Sequence, residues 1–253
     1  MLVILSPAKT FHKEFKQLPV KTSELFPNQT TQLLNKMQQY TEVEIKQLMS
    51  LSDALAATTA KQYMMFKTLN EASALYAFDG EVYRGLNAQT LSKEALLFSY
   101  QRLIILSGLY GMLTPTTLIK PYRLEMGLKL SVDEHPNLVN FWKPIITKAL
   151  MEQLSQSKEK PVILNLASSE YAKAIDFKKI RQLTHVVEVV FKERKGDTYK
   201  VVGMYAKKAR GALTRFILEH QLTEVEAIKA FQENGYTYQD ELSSDSVIVF
   251  TRG

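Results

Sequence analysis

The sequence predicts an α+β fold in which a mixed β-sheet is surrounded by helices, as a single domain over residues 1–253. Two apolar runs, at 2–5 and 161–166, are typical of buried strands, and segments with helical spacing separate them. No internal repeat, low-complexity tract or linker rich in Pro, Gly and Ser divides the chain. At 253 residues it can bury a substantial core.

Helices are predicted where apolar residues recur every three or four positions. A Thr followed three residues later by Glu, as at Thr41 and at Thr223, resembles a capping box. Pro144 is expected to bend its helix or to set the first turn. The expected helices are several pieces within 29–77, the third starting near Ser52 or Asp53, then one from Ser92, one over about 137–154, one opening at 167–171, a basic one after Tyr205 and one after Thr223.

Strands are predicted where apolar residues form short runs or alternate with polar ones. The run at 103–106 fits a buried strand as well as a helix end. Segments rich in Val, Phe and Tyr flank Lys195-Gly196-Asp197 and indicate a hairpin. The other expected strands are 2–5, 161–166 and 247–250, the hairpin arms are 184–193 and 198–205, and 122–130 alternates enough for a strand or one hairpin arm.

Composition excludes several classes of protein. The chain has no cysteine, which excludes disulfides, cysteine nucleophiles, iron–sulfur clusters and thiolate zinc sites. Its net charge of +6 favours an anionic partner such as nucleic acid, a phosphorylated metabolite or an acidic membrane surface. The N-terminal apolar run is too short for a signal peptide, and no run approaches the roughly 18–20 residues of a membrane span. We therefore expect a cytoplasmic protein without a membrane partner.

Standard catalytic and cofactor motifs are absent from the sequence. It contains no GxxxxGK[ST] loop, no GxGxxG turn after a strand and no GxSxG elbow. The 4 histidines, at positions 12, 135, 185 and 220, lack metal-ligand spacing. We assign no catalytic residue, cofactor or metal, and the sequence leaves open whether the protein is an enzyme.

The stretch Tyr-Ala-Lys-Lys-Ala-Arg-Gly at 205–211 concentrates positive charge at the start of a helix. Cations there oppose the helix dipole, so the arrangement is locally unfavourable. Lys207 and Arg210 share one helical face, and Lys208 and Arg215 lie on a neighbouring one. An anion-binding surface and a solvated helix face explain the pattern equally well.

Polar residues cluster where the two apolar strands end. Ligands of α/β sheets commonly bind at the carboxyl ends of strands, so these clusters predict one shared cleft. A simpler alternative for Ser168 is that it caps the following helix. The residues are Ser6, Lys9 and Thr10 after the first strand, and Asn165, Ser168 and Glu170 at the end of the second.

Two further segments invite a double interpretation. Alternation places Arg123 and Glu125 on one face, where they form an ion pair or where Arg123 offers a forked donor to an anion. Glu81 can likewise be interpreted as a member of a structural ion pair or as a functional residue of the cleft, and no catalytic partner for it is obvious in the sequence. Gly108 and Gly111 bound a turn that resembles the glycine turn of helix–hairpin–helix modules, with wider glycine spacing, and a purely structural turn explains it as well.

Six segments together carry a family resemblance. They resemble the YaaA family of bacterial proteins, also called UPF0246 or DUF328, from residue 1 to about 250. The segments are SPAKT at 6–10, GEVY at 80–83 with GL at 85–86, LSGLYG at 106–111, PYRLEMG at 121–127, NLAS at 165–168 with EY at 170–171, and YAKKARG at 205–211.

The resemblance implies a cytoplasmic protein of peroxide resistance that limits iron-driven oxidative damage. It also implies DNA binding through a positively charged cleft and a helix–hairpin–helix-like element. Asp79 departs from the family pattern, in which a lysine is expected, and this puts an anion contact by that loop in doubt. The residues to which the family's DNA contacts are assigned are Lys9, Gly108, Gly111, Arg123, Lys207, Lys208, Arg210 and Arg215.

Three functions follow as hypotheses. The first is non-sequence-specific binding of double-stranded or structured DNA by a monomer. The alternative is an enzyme or a binder of a small anion, because the same cleft would include Ser6, Thr10, Glu81, Glu125, Asn165, Ser168 and Glu170. A third is direct iron binding by carboxylates, which suit hard cations.

Overall fold

The fold is known from a computed structural model that describes residues 1–156 and 161–253. Its strands are β1 (Leu2–Leu5), β2 (Thr10–Phe11), β3 (Ala72–Ser73), β4 (Phe78–Asp79), β5 (Leu103–Ser107), β6 (Gly111–Leu113), β7 (Leu118–Ile119), β8 (Ile163–Asn165), β9 (Val186–Lys195), β10 (Thr198–Lys200), β11 (Thr237–Tyr238) and β12 (Val247–Arg252). Its α-helices are α1 (Pro27–Gln38), α2 (Glu42–Met49), α3 (Asp53–Met64), α4 (Ala74–Ala77), α5 (Glu81–Leu86), α6 (Lys93–Arg102), α7 (Leu138–Gln156), α8 (Ser169–Ala172), α9 (Phe177–Ile180) and α10 (Gly203–Glu219). Short 3₁₀ turns lie at Phe66–Thr68, Ala88–Thr90, Glu226–Ala230, Glu233–Gly235 and Asp240–Leu242.

An 8-stranded mixed sheet forms the centre, in the order β11-β12-β9-β8-β1-β5-β6 with β10 paired to β9. The neighbours from β12 to β5 run parallel, whereas β6, β10 and β11 pair antiparallel at the margins. β1 is buried along its whole length, which explains its unbroken apolar run. The predicted α+β fold with a mixed sheet in a single domain is confirmed.

The segment 103–106 is a strand rather than a helix end. It continues directly from α6, and β5 pairs parallel with β1 through Val3↔Leu103 and Leu5↔Ile105. All of β5 is buried. A fully apolar run that must be covered on both faces fits the interior of a parallel sheet.

One of the predicted capping boxes forms and the other does not. The Thr41 hydroxyl accepts from the Glu44 amide at 3.3 Å, and a Glu44 carboxylate oxygen accepts from the Thr41 amide at 2.7 Å. After Thr223 the chain instead makes the 3₁₀ turn Glu226–Ala230, with Val225 as its first flanking residue. The capping box predicted there is wrong, because Val225 has helical dihedral angles (φ −64°, ψ −35°) and Thr223 lies before the cap position.

The segment 122–130 is not the strand predicted for it. Tyr122, Leu124 and Met126 are buried and Arg123 and Glu125 are partly exposed, so the alternation is real. No strand of the described chain pairs with it, and a turn follows at 126–127. The alternating burial therefore comes from an extended segment that packs against the core without joining a sheet.

The second arm of the predicted hairpin is shorter than expected: β10 ends at Lys200 and α10 begins at Gly203.

The Gly108–Gly111 turn joins β5 to β6 and therefore is not part of a helix–hairpin–helix element. Ser107 pairs with Gly111 across an antiparallel ladder. A Cβ on Gly108 would lie 2.1 Å from the Leu124 carbonyl oxygen, and one on Gly111 (φ +72°) would lie 2.5 Å from the Trp142 ring. Both glycines are buried, so neither is placed to contact a DNA phosphate. Their role is close packing inside the sheet layer.

Candidate functional site

The carboxyl ends of the parallel strands β1 and β8 open into one cleft of about 420 Å³. This is the shared cleft that the polar strand ends predict. Its wall is completed by the 79–82 turn, the 121–127 segment and α10. The lining residues are Ser6, Pro7, Ala8, Lys9, Thr10, Asp79, Gly80, Glu81, Val82, Glu125, Leu166, Ser168, Ser169, Glu170, Tyr171, Lys207 and Arg210.

Two glycines hold α5 and α10 in unusually close contact beside this cleft. A Cβ on Gly211 would lie 1.7 Å from the Val82 carbonyl oxygen, and one on Gly85 would lie 2.1 Å from the Lys208 carbonyl oxygen. Only glycine permits both approaches. The crossing therefore fixes the first turns of α10, which carry Lys207 and Arg210, against the helix that begins at Glu81.

A second wall comes from the 121–127 segment. The Tyr63 hydroxyl donates to the Arg123 carbonyl oxygen at 2.6 Å, and Gly108 packs against Leu124. These contacts hold Glu125 at the cleft, where its carboxylate pairs with Lys9 at 2.6 Å and with Arg123 at 3.6 Å. Of the two interpretations offered for Arg123, the structure shows the ion pair.

Hydroxyl groups join the two strand ends. The Ser6 hydroxyl accepts from the Ser168 amide at 2.8 Å and donates to the Ser168 hydroxyl at 3.2 Å. The Ser168 side chain makes no capping bond to α8, so its helix-cap role is not observed. Asn165 does not line the cleft, because its Oδ1 turns back to accept from the Ala167 amide at 3.1 Å.

The acidic side chains of the cleft have partners. Arg84 bridges Glu81 at 2.8 Å and Asp79 at 3.3 Å. The charge of Asp79 and the hydrogen bond that Arg84 donates to Glu81 raise the pKa of the Arg84 guanidinium. A Glu170 carboxylate oxygen accepts from the Gly127 amide at 2.9 Å. The cleft is thus of mixed charge: Arg84 from outside balances Glu81 and Asp79, Lys9 inside balances Glu125, and Glu170 has a backbone amide as its partner.

Lys207 and Arg210 carry the positive charge that is left. Neither has an acidic partner within ion-pairing distance among the described residues. Arg210 is partly buried, its Nε lies inside without a hydrogen-bond partner, and burial lowers the pKa of its guanidinium. An arginine stays protonated despite such a shift, so the cleft contains an uncompensated cation.

Other cations proposed from the sequence lie elsewhere. Lys208 faces a smaller neighbouring cavity of about 220 Å³. Arg215 is fully engaged: its guanidinium donates to the carbonyl oxygens of Leu86, Asn87 and Thr90, and it pairs with Glu219 at 2.9 Å. Arg215 therefore ties α10 to the chain that follows α5, which accounts for its presence without any ligand.

Buried tyrosines lie near the cleft, and one of them, Tyr171, lines it. The Tyr83 hydroxyl donates to the Ser6 carbonyl oxygen at 3.1 Å, and Tyr122 shares a hydrogen bond of 2.7 Å with Ser107. Burial raises the pKa of Tyr83, Tyr122 and Tyr171 well above the ordinary value. The sequence analysis did not predict the burial of these tyrosines or the bridge that Arg84 forms. Tyr83 and Arg84 belong to the run GEVYRG at 80–85, and Tyr122 belongs to KPY at 120–122.

The described part of the chain contains neither a cluster of metal-ligating side chains nor a membrane-spanning helix. Within residues 1–156 and 161–253, no three or more His, Cys, Asp or Glu side chains lie together in a group that could hold a metal ion. Over the same residues, every helix is too short or too polar to cross a membrane.

Fold and site together define an α+β protein with a mixed-charge cleft at the carboxyl ends of a parallel strand pair. The family described as "Peroxide stress protein YaaA" matches residues 1–242. UPF0246 proteins of Clostridium perfringens (strain ATCC 13124), Hahella chejuensis and Francisella philomiragia are 42%, 41% and 38% identical to this chain. Each match covers 100% of the chain and 99% or more of the relative. The chain belongs to the YaaA (UPF0246) family of peroxide stress proteins.

Proposed function

We propose that the protein supports peroxide resistance in the cytoplasm by binding DNA without sequence specificity, as a monomer. Lysine and arginine contacts to phosphate displace the cations condensed on DNA. Iron held at the phosphates belongs to those cations, so a bound protein would lower the local damage that iron and peroxide cause.

The observation that carries this role is the charge on the stretch 194–208. Its cations Arg194, Lys195, Lys200, Lys207 and Lys208 are exposed and have no acidic partner among the described residues. Tyr199 and Tyr205 lie between them with 39% and 42% of their surface exposed. Exposed cations interleaved with aromatic rings suit the backbone and the bases of nucleic acid.

The cleft should contribute fewer contacts to DNA than the family resemblance implies. Acidic side chains in it would repel phosphate, and Lys9 and Arg123 are engaged with Glu125. Lys207 lines the cleft and is exposed, so it can serve both surfaces. We therefore place the DNA contacts on the hairpin β9–β10 and on the exposed side of α10.

The double variant Lys200→Ala/Lys208→Ala should weaken DNA binding equally for all sequences. Each lost phosphate contact should flatten the dependence of log affinity on log salt by about 0.9, so we expect a change of up to about 2. Fluorescence anisotropy with a labelled duplex and a labelled single strand, over a series of salt concentrations, measures this slope.

The matched control is Lys36→Ala/Lys61→Ala, which removes the same charge from α1 and α3. Since nonspecific attraction by net charge would fall equally in both double variants, an equal loss in the control would contradict the proposed surface. Peroxide survival of cells that carry only the Lys200/Lys208 variant should fall together with DNA affinity, and full survival would separate DNA binding from resistance.

A further inference from the structure

The size of the cleft points to a ligand other than duplex DNA. Small-molecule sites commonly enclose roughly 300–1,000 Å³, and the cleft between β1, β8 and α10 holds about 420 Å³. It also lies where parallel strands end, the usual place for ligands in such sheets. A metabolite fits this space, whereas a duplex would contact only its mouth.

Two cations lie together on one wall of the cleft, at the start of α10. Glu81 and Glu125 form ion pairs and Glu170 accepts from the Gly127 amide, while Lys207 and Arg210 have no acidic partner among the described residues. Arg210 lines the cleft, and its Nε is buried without a hydrogen-bond partner. The charge of this guanidinium is therefore uncompensated among the described residues, and an anion bound in the cleft would balance it.

The opposite wall supplies hydrogen-bond acceptors. Glu125 and Glu170 accept bonds but cannot donate them when ionised, and their oxygens can accept further bonds. Ser169 also lines the cleft. A ligand that spans the cleft therefore needs an anionic group at one end and hydroxyl or amino donors at the other.

The two walls are held at a fixed separation before any ligand arrives. Gly85 and Gly211 lock α10 against α5, and Gly108 packs under the segment that carries Glu125. A preformed site of this kind loses little entropy when it binds a ligand.

We propose that the cleft binds a small phosphorylated metabolite that carries hydroxyl groups. The guanidinium of Arg210 and the ammonium of Lys207 hold its phosphate, because a planar guanidinium matches phosphate oxygens in pairs. Glu125 and Glu170 accept from its hydroxyls. This site goes beyond DNA binding, since Arg210 lies within the cleft and outside the proposed DNA surface.

The test is calorimetric titration of the full chain with inorganic phosphate, a sugar monophosphate and a nucleoside monophosphate. We expect at least one organic phosphate to bind more tightly than inorganic phosphate, and Arg210→Gln to weaken it at least tenfold. Lys208→Gln is the matched control, because it removes an adjacent cation that does not line the cleft. It should leave the metabolite affinity unchanged.

Stability without ligand gives a second readout. Arg210→Gln should raise the melting temperature of the ligand-free protein, because it removes an unpaired, partly buried charge. If that variant fails to fold, Lys207→Gln tests the same site at an exposed position. The site would be overturned if none of the three phosphates bound, or if the Arg210 and Lys207 variants bound the metabolite as tightly as the unmodified protein does. DNA affinity that survives Arg210→Gln but falls in Lys208→Gln would show that the two functions are separate.

Discussion

Replacing Gly211 with alanine should lower the free energy of unfolding by about 2 kcal/mol or more. The new Cβ would lie 1.7 Å from the Val82 carbonyl oxygen and 2.7 Å from the Leu86 amide nitrogen. Both are backbone atoms of α5, so α10 itself must shift, and overpacking of this kind costs about 3 kcal/mol. The better helix propensity of alanine recovers about 1 kcal/mol of that loss.

Gly203→Ala is the matched control for this prediction. Gly203 is the first residue of the same helix, and a Cβ there would meet no atom within 4 Å. Urea denaturation should show a lower midpoint for Gly211→Ala and an equal or higher one for Gly203→Ala. If both variants behaved alike, the close crossing of α5 and α10 would not be a source of stability.

The crossing also connects stability to function. Lys207 stands one helical turn before Gly211 and Arg210 immediately precedes it, and the partner helix begins at Glu81 in the cleft wall. A displaced α10 should move both cations away from the acidic wall. Gly211→Ala should therefore weaken phosphate-ligand binding even under conditions in which the variant is folded.

The position of the cleft could be predicted from the sequence because it depends on local signals. Apolar runs at 2–5 and 161–166 identify buried strands, and the polar residues that follow them mark the ends of those strands. The rule that ligands bind at strand ends then brings Ser6 near Ser168, and the structure joins the two by hydrogen bonds.

Whether each charged residue is paired or unpaired could not be predicted, because its partners are remote in sequence. Lys9 is neutralised by Glu125, and Arg215 is held by the chain around Asn87 and Thr90. Nothing in the spacing along α10 separates Arg215 from Arg210. Only the tertiary structure shows that one is a structural clamp and the other an unpaired cation.

The glycine turn at 108–111 shows a different limit. A Gly-apolar-apolar-Gly pattern indicates a tight turn and says nothing about the elements on either side. Helical spacing up to Arg102 favours a helix before the turn, but β5 intervenes and buries the turn against Trp142. The packing of the sheet, which is nonlocal, decided between the two structures.

The protein should lose stability steeply above about pH 10. Burial raises the pKa of five tyrosine hydroxyls, those of Tyr63, Tyr83, Tyr110, Tyr122 and Tyr171. Below the unfolded pKa of about 10, folded and unfolded chains both hold these protons, and the contribution to stability is complete. Above it the unfolded chain releases protons that the folded chain retains, so the free energy of unfolding falls as pH rises.

The expected slope is about 1.4 kcal/mol per pH unit for each buried tyrosine, or about 7 kcal/mol per unit for all five as an upper bound. A typical domain has only about 5–15 kcal/mol of stability, so unfolding should be complete within one or two units above pH 10. Urea denaturation at a series of alkaline pH values gives the slope, and the absorbance of tyrosinate shows whether the ring protons leave in the same transition.

Tyr122→Phe and Tyr199→Phe separate this mechanism from general alkaline repulsion. Tyr122 is 5% exposed, so its replacement should reduce the slope by about 1.4 kcal/mol per pH unit, although it also removes the hydrogen bond to Ser107. Tyr199 is 39% exposed, and its hydroxyl should meet water in the folded and unfolded chains alike. The same slope in both variants would mean that lysine deprotonation or net charge causes the loss. A reduced slope in Tyr122→Phe alone would assign the loss of stability to the buried tyrosines.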